Sequence, residues 1–180
     1  MLSKFIFKTI LGWTLVGDFP KFDQMVIIVV PHTHWMDFIV AILVRDFLKE
    51  PIHFLGKKEL FTGFKGSFFR AAGGYPVNRS KSTNTVTQAV LYFKKNRVFR
   101  LALAPEGTRK KVKTLKTGFY QIAKQAKVPI LPVAFDFENK KMIFHPLFFP
   151  SPSQESDMYQ IEQMFRGIKG KRPERSFQPS

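Results

Sequence analysis

An unbroken run of apolar, mostly β-branched residues, Met25 to Val30, leads directly into the polar stretch Pro31-His32-Thr33-His34-Trp35-Met36-Asp37. A run of this kind, without alternation of polar residues, is typical of a strand buried on both faces of a sheet. The residues that follow such a strand emerge at the edge of the sheet, where α/β proteins place their chemistry. We therefore expect His32 and Asp37 to lie at a functional edge.

Strands and helices alternate along the rest of the chain. Apolar segments predict further strands at residues 52–55, 75–77, 99–104 and 129–137, with 142–145 as a final hairpin partner. Helical patterns occupy residues 38–50, 64–72, 82–95, 117–127 and 153–168, and the first of these is apolar on nearly all sides, which predicts a buried helix. This order indicates an α/β fold of one domain, with a mixed, mostly parallel sheet flanked by helices.

The first seventeen residues, 1–17, are apolar but form too short a segment to span a bilayer. Lys4 and Lys8 share one helical face, and Phe5 and Trp13 fall on others. We expect an amphipathic helix that lies on a membrane surface. The alternative is an ordinary N-terminal helix packed against the domain.

The remaining boundaries follow from composition. Residues 18–168 carry the alternating pattern and form the main domain, because no linker or internal repeat divides them. Residues 169–180 are basic and contain several Pro and Ser residues, which predicts a flexible tail.

The charge and the aromatic content of the chain indicate what kind of molecule it binds. The chain has 29 Lys and Arg against 13 Asp and Glu, a net charge of +16, so its ligand or partner surface is expected to be anionic. Its 21 Phe residues add an apolar component, and a phospholipid combines both properties. The absence of Cys excludes disulfides, thiolate metal sites and a Cys nucleophile.

His32 and Asp37 have the residue types of a general base and its partner. A carboxylate that accepts a hydrogen bond from one imidazole nitrogen fixes the tautomer and leaves the other nitrogen free to take a proton. A spacing of five residues corresponds to about 140° around a helix, so the pair requires a turn between strand and helix.

Two further clusters follow predicted strands or turns. Gly73 and Gly74 precede Arg79, whose guanidinium is suited to bidentate phosphate binding. The second cluster, Glu106-Gly107-Thr108-Arg109, combines a carboxylate, a flexible backbone with amides that could form an anion nest, a hydroxyl and a second guanidinium. Taken singly, an arginine after a turn is usually a solvated surface residue.

Taken in order, these segments resemble the glycerolipid acyltransferase family, which includes the lysophosphatidic acid acyltransferases. The family's blocks are matched by His32 and Asp37, by Gly73 and Arg79, by the uninterrupted Pro105, Glu106, Gly107, Thr108 and Arg109, and by the proline-containing apolar residues Val128 to Val133. Many relatives have Asn before the histidine and Ser after it, whereas this chain has Pro31 and Thr33. The chain resembles a minimal bacterial-type member.

The resemblance implies direct acyl transfer. His32, oriented by Asp37, would remove the proton from an acceptor hydroxyl, which then attacks an acyl thioester. Arg79 and Arg109 would hold phosphate groups, and Glu106 and Thr108 would position the glycerol part of the acceptor. Backbone amides near Gly107 or His32 could stabilise the tetrahedral intermediate. Lys57 and Lys58 are further phosphate candidates, although a lysine pair is usually a solvated surface.

The resemblance also implies the substrates and the location. The acceptor would be lysophosphatidic acid or another lysolipid such as a lyso-aminolipid, and the donor acyl-CoA or acyl-carrier protein. No cofactor or metal is expected, because His34, His53 and His145 lack ligand spacing and are interpreted as structural. The protein would lie at the cytoplasmic face of the cell membrane, peripheral or monotopic, on an anionic lipid surface.

Two other classes remain to be distinguished. A nucleic-acid-binding domain would use the basic stretch Arg109-Lys110-Lys111-Val112-Lys113, but the phenylalanines lie in apolar runs instead of alternating with basic residues, and no nucleic-acid motif is present. A non-catalytic membrane-binding module would explain the charge and the Phe content. It would have no use for a His-Asp pair ahead of Glu-Gly-Thr-Arg.

Overall fold

The computed structural model describes residues 2–77 and 82–179. Within these residues one seven-stranded sheet contains β1 (Thr14–Val16), β2 (Gln24–Val30), β3 (Ile52–Lys57), β4 (Gly74–Val77), β5 (Phe99–Leu103), β6 (Ile130–Asp136) and β7 (Lys141–Phe144). The strand order is β1-β7-β6-β2-β5-β3-β4. Neighbouring strands run parallel except β6 and β7, which form the antiparallel hairpin that the sequence predicts.

Helices connect these strands and cover the sheet. They are α1 (Leu2–Phe5), continued by a π-helical turn at Ile6–Ile10, α2 (Met36–Leu48), α3 (Gly63–Ala71), α4 (Ser82–Lys95), α5 (Gly118–Ala126) and α6 (Gln154–Gln163), with 3-10 turns at Lys58–Phe61 and Pro173–Arg175. Helix α6 begins at the cap Ser153, whose side chain accepts the backbone N–H of Ser156.

Strand β2 lies at the centre of the sheet and contributes to the core on both faces. Val26 and Ile28 pack with α4, α5 and α6, whereas Met25 and Ile27 pack with α2 and with Phe7 of the N-terminal helical turn. All four side chains are at most 4% exposed. Because successive strand residues face opposite sides, this arrangement explains why the run is apolar without alternation. The predicted fold class is confirmed.

The N-terminal segment differs from the predicted membrane helix over residues 1–17. Helical structure ends at Ile10, and residues 14–16 form edge strand β1 beside β7. Phe7 and Trp13 are 0% and 4% exposed and belong to the core. Trp13, which the helical pattern placed on a lipid-facing side, instead contacts the ring of Phe137 edge-on at 4.7 Å between centroids. The segment is therefore part of the sheet domain.

The predicted flexible tail, residues 169–180, is also wrong as far as residue 179. The backbone N–H of Phe137 donates to the carbonyl of Lys169, and Phe177 is fully buried in the core on the α4 face. A buried apolar residue and hydrogen bonds to the rest of the fold hold this basic segment in place, and average composition conceals such contacts.

Helix α2 is less buried than its apolar sequence predicts. Val40 and Val44 are buried, but Ile39 is 44% exposed and most of the remaining apolar side chains are half-buried. None of the helices within the described ranges combines the length and the apolar character that a membrane crossing requires.

Candidate active site

The loop after β2 folds around the carboxylate of Asp37. His32 Nδ1 lies 3.0 Å from Asp37 Oδ2, so the pair that the spacing predicts is present in the structure. The same oxygen accepts the backbone N–H groups of Thr33 and His34 at 2.9 and 3.0 Å. Asp37 is 2% exposed and lies in the first turn of α2, where the helix dipole favours a negative charge. Its carboxylate therefore holds both the loop and the imidazole.

The contact with Asp37 determines which imidazole nitrogen is available for chemistry. If Nδ1 carries the proton and donates to Asp37, Nε2 is an acceptor. Arg109 Nε lies 3.4 Å from that Nε2 and donates to it, which matches this tautomer. His32 and Arg109 come from loops that follow β2 and β5, which are parallel neighbours, so the two loops meet at one edge of the sheet. A basic nitrogen and a cation thus face the same space.

That space is a cavity of about 1500 Å³ at the carboxyl edge of the sheet. Part of its lining is apolar and comes from both faces of the sheet, including Val29, Phe38, Ala41, Ile42, Phe54 and Phe119. Another part carries the cations Arg45, Arg109, Lys110, Lys116 and Arg175. Among the described lining residues, Asp37 is the single carboxylate. The cavity can accept a ligand with an apolar part and an anionic part.

Glu106 does not lie where the resemblance implies. Its side chain is 1% exposed and is absent from the described lining of the cavity, and its Oε2 accepts the backbone N–H of His32 at 2.5 Å. Burial raises the pKa of Glu106 to about 7, although the hydrogen bond and charge of His32 oppose the shift. The expected role in holding the glycerol part of an acceptor is therefore replaced by support of the His32 peptide from behind.

Gly107, Thr108 and Arg109 line the cavity as expected. Gly107 has φ +64°, and a Cβ at this position would come within 2.6 Å of Lys116 Nζ, so glycine allows both the turn and the close approach of the ammonium group. Thr108 Oγ1 accepts the backbone N–H of Lys110 at 3.2 Å. The turn at Gly107 is thus surrounded by the hydroxyl of Thr108 and by two cationic side chains, Arg109 and Lys116.

The two amides proposed to stabilise an oxyanion already have acceptors. The N–H of Gly107 donates to the carbonyl of Ala104 at 3.0 Å, and the N–H of His32 donates to Glu106. Neither is available for an anion in this conformation, so the expected anion nest at Gly107 itself is not formed. The side chain of Arg109 is the donor that lies beside the imidazole.

Two further predicted site residues, Lys57 and Lys58, do not reach the cavity. Lys57 and Lys58 are exposed at the end of β3 and in the following 3-10 turn, and neither belongs to the described lining. Arg79 lies outside the described residues. The structure therefore brings together His32, Asp37, Gly107, Thr108 and Arg109, with Glu106 behind them.

Lys116 and Arg175 line the cavity without having been predicted. Lys116 belongs to the stretch between the Glu-Gly-Thr-Arg block and α5, where a row of lysines carries no sign of which one turns inward. Arg175 belongs to the segment interpreted as a tail. No local pattern in the sequence could have identified it.

The other histidines make contacts with their surroundings. The ring of His53 stacks on Phe99 at 4.9 Å between centroids, and burial lowers the pKa of His53 and of His145. His34 Nδ1 accepts the backbone N–H of Met36 at 3.3 Å. Across the described ranges, no group of three His, Asp or Glu side chains is placed to hold a metal ion.

Comparison with known proteins finds similarity to acyltransferases over the sheet and the loops of this site. A family model described as Acyltransferase matches residues 16–136, which include the His32 loop and the Glu106–Arg109 block. The 1-acyl-sn-glycerol-3-phosphate acyltransferase of Streptococcus pneumoniae is 30% identical over 135 residues, covering 70% of this chain and 50% of that protein. The protein of the same name from Bacillus subtilis is 30% identical over 116 residues, covering 63% of this chain and 56% of that one.

A solved structure supports the fold. The crystal structure of PlsC, the 1-acyl-sn-glycerophosphate (LPA) acyltransferase of Thermotoga maritima, matches with a TM-score of 0.61 over 90% of this chain and 73% of that one, at 20% sequence identity. The chain spans about half the length of the curated relatives it matches. Because the family model covers most of the sheet and both loops of the site, the chain belongs to the Acyltransferase family.

Proposed function

We propose that this chain transfers a fatty acyl group from an acyl thioester to a hydroxyl of a lysophosphatidic acid-like acceptor. The proposal rests on the His32–Asp37 pair. Nε2 of His32, the nitrogen that does not contact Asp37, faces a cavity with an apolar part and a cationic part. The names of the relatives support this substrate class. The acyl chains would occupy the apolar part, and phosphate the cationic part.

The reaction needs one base and no enzyme-bound acyl group. The acceptor hydroxyl displaces the Arg109 N–H from Nε2 of His32 and gives its proton to that nitrogen while the hydroxyl oxygen bonds to the thioester carbonyl carbon. Asp37 stabilises the imidazolium that forms. When the tetrahedral intermediate collapses, the carbon–sulfur bond breaks and the imidazolium returns its proton to the leaving thiolate. Arg109, beside Nε2, would stabilise negative charge on the intermediate or hold a phosphate. The donor would be acyl-CoA or the acyl thioester of acyl-carrier protein, with no cofactor.

Apolar side chains at the N-terminus support binding to a membrane surface. Leu2, Phe5 and Ile10 are 72%, 55% and 64% exposed, and the exposed Lys4 and Lys8 lie among them. Exposed apolar groups beside cations are typical of proteins that bind anionic lipid at its interface. The proposed location is peripheral, at the cytoplasmic face of the cell membrane.

A second exposed group lies on α3. Phe64 and Phe68 are four residues apart on one side of this helix and are 97% and 62% exposed. Lys57, Lys58 and Arg70 are exposed nearby in the chain, so these lysines fit an anionic lipid surface better than a substrate phosphate. Phe64 and Phe68 would insert between lipid headgroups.

Purified protein tests the function directly. Incubation with lysophosphatidic acid and either acyl-CoA or the acyl thioester of acyl-carrier protein should form phosphatidic acid, and a His32→Ala variant should be about 10²–10⁴-fold slower. A lyso-aminolipid acceptor in parallel reactions tests the rival lysolipid assignment, and a duplex DNA binding assay tests the nucleic-acid alternative. A folded His32→Ala protein with near-normal turnover, or wild-type protein inactive towards every lysolipid, would overturn the proposal.

A further inference from the structure

The segment after α6 packs against the loop that carries His32. A Cβ at Gly170 would come within 2.6 Å of Thr33 Oγ1 and 3.1 Å of Pro31 Cγ, so the backbone of Gly170 lies directly against these two side chains. The backbone N–H of Arg172 donates to the same Thr33 Oγ1 at 3.1 Å. Thr33 is 1% exposed. The segment is therefore fixed relative to the base.

A second anchor follows a few residues later. Ser176 and Phe177 are 2% and 0% exposed, and Ser176 Oγ accepts the backbone N–H of Gly170 at 2.9 Å. Phe177 packs into the core cluster on the α4 face. The short 3-10 turn Pro173–Arg175 is thus held between two anchors. The position of this turn is therefore determined by the contacts on either side of it and not by its own weak 3-10 hydrogen bonds.

Arg175 projects from this turn and lines the cavity that contains His32 and Arg109. The side chain of Arg175 is 39% exposed. Among the described residues its Nε forms an ion pair with Glu174 Oε1 at 3.7 Å. Glu174 is 67% exposed, so this long contact neutralises the guanidinium very little. Arg175 therefore presents a cation to the cavity, and among the described residues its ion-pair partner is only the distant and exposed carboxylate of Glu174.

The cavity has more positive than negative groups, and its single described carboxylate, Asp37, already accepts from His32 and the loop. A planar guanidinium with two parallel N–H groups matches two oxygens of a phosphate. The proposed substrates supply phosphate from two sources, the lysolipid acceptor and the thioester donor. Both the lysolipid acceptor and the thioester donor carry phosphate in ester linkage.

We infer that Arg175 is a phosphate-binding residue of the substrate cavity, supplied by a segment outside the motif blocks of the family. This inference deepens the proposed function and rests on it. Arg175 sets affinity for the phosphate ester without taking part in proton transfer, because the base and its partner are complete without it.

Kinetics of Arg175→Gln and the matched control Arg172→Gln test the inference. Arg172 is exposed on the same segment and does not belong to the described lining, and its contact with Thr33 uses the backbone, which the substitution leaves intact. Arg175→Gln should raise KM for one substrate by about 10-fold with kcat changed much less, as for the loss of a charged hydrogen bond. Varying acceptor and donor separately identifies which phosphate is bound. Equal KM values for the two variants, against both substrates, would overturn the inference.

Equilibrium binding separates this inference from the proposed function. Titration calorimetry with a short-chain lysophosphatidic acid and with CoA measures affinity whether or not acyl transfer occurs. Arg175→Gln should weaken one of these ligands by about 10-fold, and high salt should reduce the difference. If wild-type protein binds with this dependence but transfers no acyl group, the proposed function fails and the inference stands. If wild-type protein binds neither ligand, or Arg175→Gln binds both as tightly as wild type, the inference fails.

Discussion

The buried carboxyl of Glu106 makes stability depend on pH in a way that one substitution isolates. Glu106 is 1% exposed, and burial raises its pKa from an ordinary 4.5 to about 7. Folded protein therefore keeps the proton at pH values where the unfolded chain has lost it. The resulting stabilisation is complete below pH 4.5 and is lost as the pH rises through about 7. A displacement of this size corresponds to about 3 kcal/mol in total.

Glu106→Gln removes the ionisation but keeps an oxygen that can accept the His32 N–H. Urea unfolding of both proteins at pH 5 and pH 8 measures the effect, because titrating groups shared by the two proteins cancel in the comparison. Wild type should lose about 2 kcal/mol relative to Glu106→Gln between these values, since part of the loss has already occurred at pH 5. The absolute stability of the variant is not the test. Its amide nitrogen takes the place of Glu106 Oε1, a buried oxygen that has no hydrogen-bond partner among the described residues, so an unpaired N–H donor lowers stability at every pH.

Two results would refute this reasoning about Glu106. Parallel pH profiles for wild type and Glu106→Gln would mean that the carboxyl is solvated or paired in the folded protein. A wild-type protein that gains stability relative to the variant as the pH rises would mean that the folded state prefers the charged form, which contradicts burial as the main cause.

Substitutions at the site and at the surface separate the remaining assignments. Asp37→Asn should lower kcat about 10²–10⁴-fold by removing the acceptor that orients His32, and a near-normal kcat in folded protein would show that Asp37 has only a structural role. Arg109→Lys should raise KM for the acceptor about 10-fold although the charge is kept, because an ammonium cannot reproduce the planar fork; equal kinetics would make Arg109 a simple surface charge. Phe64→Ser should weaken binding to anionic vesicles about 10-fold in a sedimentation assay, whereas Leu91→Ser, at a position of α4 whose side chain is 46% exposed, should not. Equal losses would exclude a specific lipid contact at α3.

The central strand, the hairpin of β6 and β7 and the loop pairing of His32 with Asp37 could be predicted from the sequence. Each depends on local information: a continuous β-branched run, a short connection, or two complementary residues close together in the chain. The direction of Glu106 could not be predicted in this way. A carboxylate that follows a strand can turn into the cavity or behind the neighbouring loop, and the choice depends on the distant His32 peptide that it accepts from.

The two terminal segments were mispredicted because their partners are distant in the sequence. Thr14–Val16 is too short and too mixed to read as a strand until it pairs with β7, residues 141–144. Phe177 is a single apolar residue in a basic stretch, and only the core cluster explains why it is ordered. Deleting residues 1–17 would therefore remove Phe7 and Trp13 from the core, so loss of membrane binding by such a truncation would not distinguish lipid contact from unfolding.

The sheet ends in two short edge strands among the described residues, three-residue β1 and four-residue β4. Pro76 in β4 cannot donate a backbone hydrogen bond, which further limits pairing along that edge. Long, flat, open edges act as templates on which a second chain can add a strand and begin to aggregate. A protein concentrated on a lipid surface meets copies of itself often, and these blunted edges would let it crowd there without extending its sheet from one molecule to the next.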